Sequence, residues 1–512
     1  MEKWESLPIS CRGGLEESIE KIEFGTNYPG FARTLQNFEP SIGGGYRRIS
    51  GFIKWDSNVV PGDTDQPITG VKVGLGGAYA VRKTGTDNAV YFSSGSGWGS
   101  KLNASARTGS INKSRLISYS ITKPVVVLTD GVNYAWKHDG TTETILNSTG
   151  APTAPKYAAL HLARLVLAPG SNSSSVILSA PNTDTDFTAG SGALELNVGD
   201  VVTGLYTFRD TLYIFAQNNI FKLEGDSATN FAIKKVTDSI GCLSHDTIQE
   251  VAGDLLFLST DGVRPISATE RLGDIELASL SNSIQQTLTD DILGNFSEQY
   301  FSSCVIRKKS QYRLFVNNID NAEENNTNYL ARFGRGRSGQ QIEWATLYGF
   351  QPYCADSEYI NDDEVAIFGH TDNGYVYRME QGSTYDGRAI DWAYVTPYLT
   401  FNGDVRTRKL LHKIDVYADF EGIITMTINV SFDYDSSNVV QPKAQVFQNA
   451  GAFTLYGGAV YGTDTYADFN SRNLIRNLIG SGYCASILFS GSGGNPFTIN
   501  SLNILYAIKG RK

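Results

Sequence analysis

Short apolar runs, each followed by a turn rich in Asp, Asn or Gly and then by a second apolar run, recur along most of the chain. One copy ends at Leu128, turns through Thr129, Asp130 and Gly131, and continues as Val132, Tyr134 and Trp136. Another runs from Leu255 to Leu258, turns at Thr260, Asp261 and Gly262, and resumes at Val263. Weaker copies turn around Asn172, between Leu165 and Val176, and at Asn218 and Asn219, between Phe215 and Ile220. Upstream, Ala78 to Val81 precede a turn at Asp87 and Asn88; downstream, Val365 to Phe368 precede Asp372, Asn373 and Gly374. The turns at Asp87, Asp130, Asn172, Asn218 and Asp261 are spaced by 43, 42, 46 and 43 residues. Gly, Asn and Asp tolerate the positive φ that tight hairpins need, and the flanking apolar runs read as strands buried on both faces.

A period of about 40 to 50 residues is that of a four-stranded blade, which cannot bury its faces alone and stacks with others around an axis. After Asp261 the rhythm stretches, with turns at Asn317 and Asp372 spaced by 56 and 55 residues, as insertions would produce. Leu280, Ile284, Leu288 and Ile292 recur every four residues behind Ser281 or Asn282 as a cap, which predicts a short helical insertion near 280–292. Asn317 to Asn328 reads as a polar loop. The pattern predicts an all-β chain whose residues 51–390 form a β-propeller of about six to eight blades, an evenly spaced β-sandwich being the competing fold.

The two ends break the rhythm. Residues 1–50 have the turn chemistry of an ordered, extended N-terminal arm, through Pro29-Gly30-Phe31-Ala32-Arg33 and Gly43-Gly44-Gly45-Tyr46-Arg47-Arg48. In residues 391–512, Ile424, Met426, Ile428, Val430, Phe432 and Tyr434 alternate with polar residues, as a half-buried strand requires. Ile414 to Phe420, Tyr483 to Phe489 and Leu502 to Ile508 repeat that alternation, so a C-terminal antiparallel β-domain, sandwich-like, is expected.

Composition agrees with short strands and tight turns: 52 Gly and 27 Tyr stand against 3 Met and 19% charged residues in a chain of 512. A net charge of −10 argues against an electrostatic nucleic-acid binder, although an acidic lumen would keep passing phosphates from sticking. The cysteines, Cys11, Cys242, Cys304, Cys354 and Cys484, never pair as CxxC, which favours reduced cytosolic thiols over disulfides or zinc. No segment after Met1 resembles a signal peptide and no run reaches a membrane span, so synthesis and assembly in the cytoplasm are expected.

Chemistry is hard to find. His138, His161, His245, His370 and His412 form no HExxH or HxH, no GxSxG occurs, and the glycines before Tyr46 lack the GxxxxGK[ST] context of a phosphate loop. Acid pairs such as Asp184 with Asp186, Asp362 to Glu364, and Asp433 with Asp435 sit in turn-like or outward positions, where solvation explains them. No catalytic, metal or cofactor residue is therefore assigned, and the chain is not expected to be an enzyme. Two basic clusters, Arg332 with Arg335 and Arg337, and Arg406 with Arg408 and Lys409, are candidate contacts to DNA in a lumen or to a neighbouring subunit.

The segments Pro29 to Arg33, Leu35-Gln36-Asn37-Phe38-Glu39-Pro40 and Gly44 to Gly51 resemble the N-terminal region of tail hub or nozzle proteins of short-tailed bacteriophages, including those of cyanobacteria. Over about fifty residues the likeness is one of motif; beyond them it is the order of arm, propeller and C-terminal β-domain. The resemblance implies a homohexameric ring in the virion tail, below the portal and adaptor, that closes the DNA channel until genome ejection. It implies as partners further copies of the chain, the adaptor, fibre, spike or needle proteins, and transient double-stranded DNA. Gly44, Gly45, Tyr46, Arg47 and Arg48 would then be assembly residues. The alternative function is a glycan-binding or glycan-cleaving propeller of a host-recognition protein.

Overall fold

The protein is described by a computed structural model over residues 4–170, 172–267, 279–294, 297–317, 327–336, 339–401, 403, 405–448 and 473–509. Its Val-, Leu- and Phe-rich runs are too short for buried helices and become strands, folded into successive antiparallel blades. Blade 1 is Ile68–Gly74, Gly77–Thr84 and Asp87–Ser93; blade 2 is Arg115–Ser120, Pro124–Thr129, Trp136–His138 and Glu143–Ile145. Blade 3 is Pro155–His161, Arg164–Pro169, Ser175–Leu178 and Leu194–Asn197; blade 4 is Val202–Phe208, Thr211–Ala216, Ile220–Glu224 and Ala232–Thr237. Blade 5 is Gln249–Val251, Asp254–Ser259 and Gly262–Pro265; blade 6 is Phe301–Ile306, Gln311–Val316, Asn328–Gly336 and Gly339–Leu347. Blade 7 is Pro352–Ile360, Asp363–His370 and Val376–Met379, completed by Phe52–Lys54 from near the start of the chain.

First strands touch in succession, blade 5 joining through the His245–Thr247 turn, and blade 7 returns to blade 1. Among the described residues these blades close into a β-propeller of seven. The turns marked in the sequence from Asp130 to Asp372 each separate the second and third strands of a blade. In blade 1 that turn is Gly85 and Thr86, and Asp87 opens the third strand. Of the turns between first and second strands, Leu162 with Ala163 in blade 3 carried no such mark, and both residues adopt positive φ, as do Arg209 and Asp210 in blade 4.

Three outer positions are irregular. In blade 1 a loop lies along the third strand, Leu102 N donating to Val90 O at 2.9 Å. After blade 5 come a short turn, Asn282–Ile284, and the helix Gln285–Gly294, in which Ile284, Leu288 and Ile292 are fully buried, as their spacing predicts. Ser281 makes no capping bond; its hydroxyl instead accepts from Val263 N at 3.1 Å, because burial against blade 5 claims it first. In blade 7, Phe52 locks the borrowed strand in place, its ring stacked on Tyr385 at 4.7 Å and edge-on to Phe368 and Tyr377.

The C-terminal part is a two-layer β-sandwich. One layer holds Ile390–Val395, Ala485–Gly493, Thr425–Phe432 and Gln445–Gln448, the other Arg408–Phe420, Asn473–Gly482 and Phe497–Lys509. Met426, Ile428, Val430 and Phe432 face Ile414, Val416, Leu502 and Ile504 across one shared core.

The N-terminal segment, expected as an ordered, extended arm, lays its strands inside these sheets. Trp4–Ser10 and Tyr46–Arg48 both pair with Phe497–Lys509, and Phe38–Pro40 pairs with Tyr46–Arg48. Thr34–Gln36 lies between Gly339–Leu347 of blade 6 and Ile390–Val395, so that blade 6 and one sandwich layer form a single nine-stranded sheet. Backbone hydrogen bonding drives this: a sheet edge left unpaired inside a packed core is costly, and the N-terminal strands satisfy it.

Candidate functional site

Two places concentrate buried polar chemistry: the axis of the propeller and the junction with the N-terminal segment.

On the axis, charged residues at the starts of the first strands and in the turns just before them form a septum. Arg115 places its guanidinium 3.0 and 3.1 Å from the two carboxylate oxygens of Asp246, 3.6 Å from Glu298, and 5.0 Å above the Tyr157 ring. Tyr157 donates its hydroxyl to Glu298 at 2.7 Å, and Lys156 pairs with the same carboxylate. Burial would weaken Arg115's hold on its proton, but Asp246 and Glu298 more than reverse this. Burial likewise opposes the charges of Asp246 and Glu298, and the cations around them win, so both carboxyls titrate below their ordinary range. Beside them Lys113, wholly buried, donates to the Tyr353 and Phe301 carbonyls and sits 4.4 Å over the Tyr353 ring. Burial lowers its proton affinity.

The septum divides the axis into two compartments. The upper, of about 460 Å³, lies among Lys156, Tyr157, Glu298 and the turns at Asn172 and Asn218. The lower, of about 330 Å³, is lined by first-strand residues of all seven blades, among them Lys72, Tyr119, Tyr206, Gln249, Ser302 and Glu358. His245, on its wall, is pushed down to about 4 by burial and is neutral at physiological pH.

At the junction, Asn37 holds φ +56° and makes four side-chain bonds. Its amide donates to Asp391 O at 2.7 Å and Tyr348 O at 3.2 Å; its carbonyl accepts from Tyr348 N at 2.9 Å and the Tyr385 hydroxyl at 3.2 Å. Glu39, 3% exposed, accepts from Gln311 at 2.8 Å and Lys309 at 2.7 Å, and Arg313 stands 3.8 Å away. Lys309 and Arg313 also bind Glu380. Burial opposes the Glu380 charge, but Arg313 and Lys309 outweigh it and hold its carboxyl at about 2.

The expected assembly residues fall on this junction. Tyr46 is fully buried, its hydroxyl donating to Gly30 O at 2.9 Å and accepting from Gly14 N at 3.1 Å. Arg47 forks onto Glu421 of the sandwich. Arg48 is buried among the carbonyls of Asn495, Ser383 and Gly494, and burial pushes it down to about 10. Gly45, at φ +84°, must be glycine, since a Cβ would meet Ile499 O at 2.6 Å. The hairpin tip, Ile42 to Gly44, is exposed, and Arg47 is half-buried. Gly45, Tyr46, Arg47 and Arg48 therefore join domains within the chain, a role their types suit: short backbone approaches need Gly, and buried carbonyls need the many donors of Arg.

Arg332 binds Ser41 O at 3.0 Å and stands 3.6 Å from Glu343; the Arg335 side chain and Arg337 lie outside the described residues. Arg406 and Arg408 are exposed on the sandwich, Arg408 bound to Ser481 O at 3.0 Å, while Lys409 is buried and reaches Tyr483 O at 3.2 Å. The acid pairs are engaged separately: Asp184 with Lys137 at 2.6 Å and Tyr119 at 3.0 Å, Asp363 with Lys308 and Arg378, Asp433 with the backbone of Tyr483 and Cys484. Among the described residues no group of His, Cys, Asp and Glu is arranged to hold a metal, and no helix is long and apolar enough to cross a membrane. The septum was missed in the sequence because Arg115, Asp246 and Glu298 come from different blades, and only blade register could have aligned them.

No family model and no curated protein matches the chain. Among solved structures, BBS1N in complex with ARL6DN is similar over 65% of this chain and 97% of that one, at 9% identity and a TM-score of 0.35. So loose a likeness carries no argument, and the propeller assignment rests on the strand pairing itself.

Proposed function

We propose that the chain is a structural, non-catalytic ring subunit of a short-tailed phage tail, in the hub or nozzle position. The observation that carries the reading is the nine-stranded sheet. The segments that resemble the phage proteins fasten propeller and sandwich into one wedge, and a stiff wedge is what a closed ring under internal pressure requires. The septum supports the same reading, since it blocks passage along the propeller axis and leaves DNA a path only through a lumen between copies. The partners are then further copies, in a hexamer, with an adaptor above and fibre, spike or needle proteins below; the chain resides in the virion after cytoplasmic assembly. Electron microscopy of the purified protein and of particles carrying it tests this. A six-fold ring on the tail axis is expected; isolated propellers that hydrolyse glycans, with no chain found in tails, would overturn it.

A further inference from the structure

We propose that the lower compartment of the propeller axis is a binding site for one neutral sugar, free or at the end of a glycan. Its volume, about 330 Å³, stands at the small end of ligand pockets and suits a single pyranose ring. The walls carry hydrogen-bonding groups still to be satisfied. Ser302 is 1% exposed and its hydroxyl has no partner, an arrangement that a buried polar group does not keep without a ligand or water. His245 lines the cavity and accepts from Leu205 N through Nδ1 at 3.4 Å, which leaves Nε2–H as a donor. Gln249 donates to Ser303 O at 3.2 Å, and its amide oxygen remains to accept. Tyr206 and Tyr119 add flat faces of the kind on which sugar C–H groups pack.

The charges argue for a neutral occupant. Lys72 is matched by Asp356 at 2.9 Å and Arg115 by Asp246 at 3.0 Å, while Arg307 is held by Ser357 O at 3.0 Å and Lys113 by the carbonyls of Phe301 and Tyr353. With the cations so engaged, little attraction is left for a phosphate, whereas hydroxyls that both donate and accept match Ser302, His245 and Gln249. The site is independent of the ring reading, because it lies within one propeller.

The test is ligand-observed saturation-transfer NMR with titration calorimetry on the full chain. The probes are glucose, galactose, mannose and N-acetylglucosamine, with inorganic phosphate as the anionic comparison. At least one sugar should bind saturably while phosphate does not; Ser302→Ala should weaken it roughly five-fold, the effect of one hydrogen bond, and Tyr206→Ala, which removes the packing face, should weaken it at least as much. Ser302→Ala removes only an unpartnered hydroxyl, so its melting temperature should match the parent and separate lost binding from lost folding. Failure of all four sugars, binding of phosphate instead, or unchanged affinity in both variants would overturn the proposal.

Discussion

Blades 2 to 4 and the N-terminal junction are built on opposite principles. Each of those blades is a run of consecutive residues whose strands pair with their sequence neighbours, as Val202–Phe208 pairs with Thr211–Ala216. At the junction, Trp4–Ser10 pairs with Phe497–Lys509, and Gln36 meets Thr346. The blades hold together through apolar burial that any volume-matched set of Val, Leu and Phe could supply; the junction depends on single polar residues with fixed partners. Local repetition therefore tolerates exchange, whereas long-range pairing is specified residue by residue.

The largest expected effect comes from deleting residues 1–50, which strips partner strands from both sandwich layers. Hydrogen exchange should show sandwich amides, those of Thr425–Phe432 for instance, losing protection while blades 2 to 4 keep theirs; uniform loss would erase the contrast. Next, Glu39→Gln leaves Lys309 and Arg313 short of a buried carboxylate and should cost about 3–5 kcal/mol in denaturant unfolding.

Acid probes the same contrast through two groups. Glu380 is held at about 2 against an ordinary 4.5, so its contribution is complete above about 4.5 and is lost as pH falls toward 2. His245 is lowered from 6.5 to about 4, so the propeller axis loses its share earlier, as pH falls from 6.5 toward 4. Melting temperature against pH should show both steps, with His245→Gln removing only the higher one.

A smaller loss, about 2–3 kcal/mol, is expected for Asn37→Ala, which combines positive-φ strain with lost hydrogen bonds. Asn37→Gly should recover the strain part, since glycine accepts φ +56°. Smallest, and opposite in sign, Leu162→Asn in blade 3 should gain about 0.5–1 kcal/mol in thermal unfolding, because leucine at φ +47° is strained and exposed there.

Much of the propeller was legible because its signals are local. Asp130 with Gly131 and Asp261 with Gly262 mark turns by their own chemistry, and the alternation through Met426, Ile428 and Val430 marks a half-buried strand without reference to anything distant. The first hairpin of each blade was illegible where Leu162 and Arg209 occupy left-handed backbone, since tertiary packing there overrides residue preference. Ser281 misled for a similar reason: a residue able to cap a helix was claimed by the neighbouring blade. Asn37, Glu39 and Arg48 stood in a recognisable motif, yet their partners lie hundreds of residues away and no spacing could name them.

By itself, then, the sequence determined an all-β chain, the period of its blades and the alternating strands of its last hundred residues, because hydrophobic periodicity and turn preference act over a few bonds. Tertiary structure alone decided that seven blades close, that the early strand Phe52–Lys54 completes the last of them, and that the presumed arm is a buried junction. It also decided that Arg115, Asp246 and Glu298 meet to seal the axis. Ring closure and charge pairing depend on distances between residues far apart in the chain, and those exist only once the blades have packed.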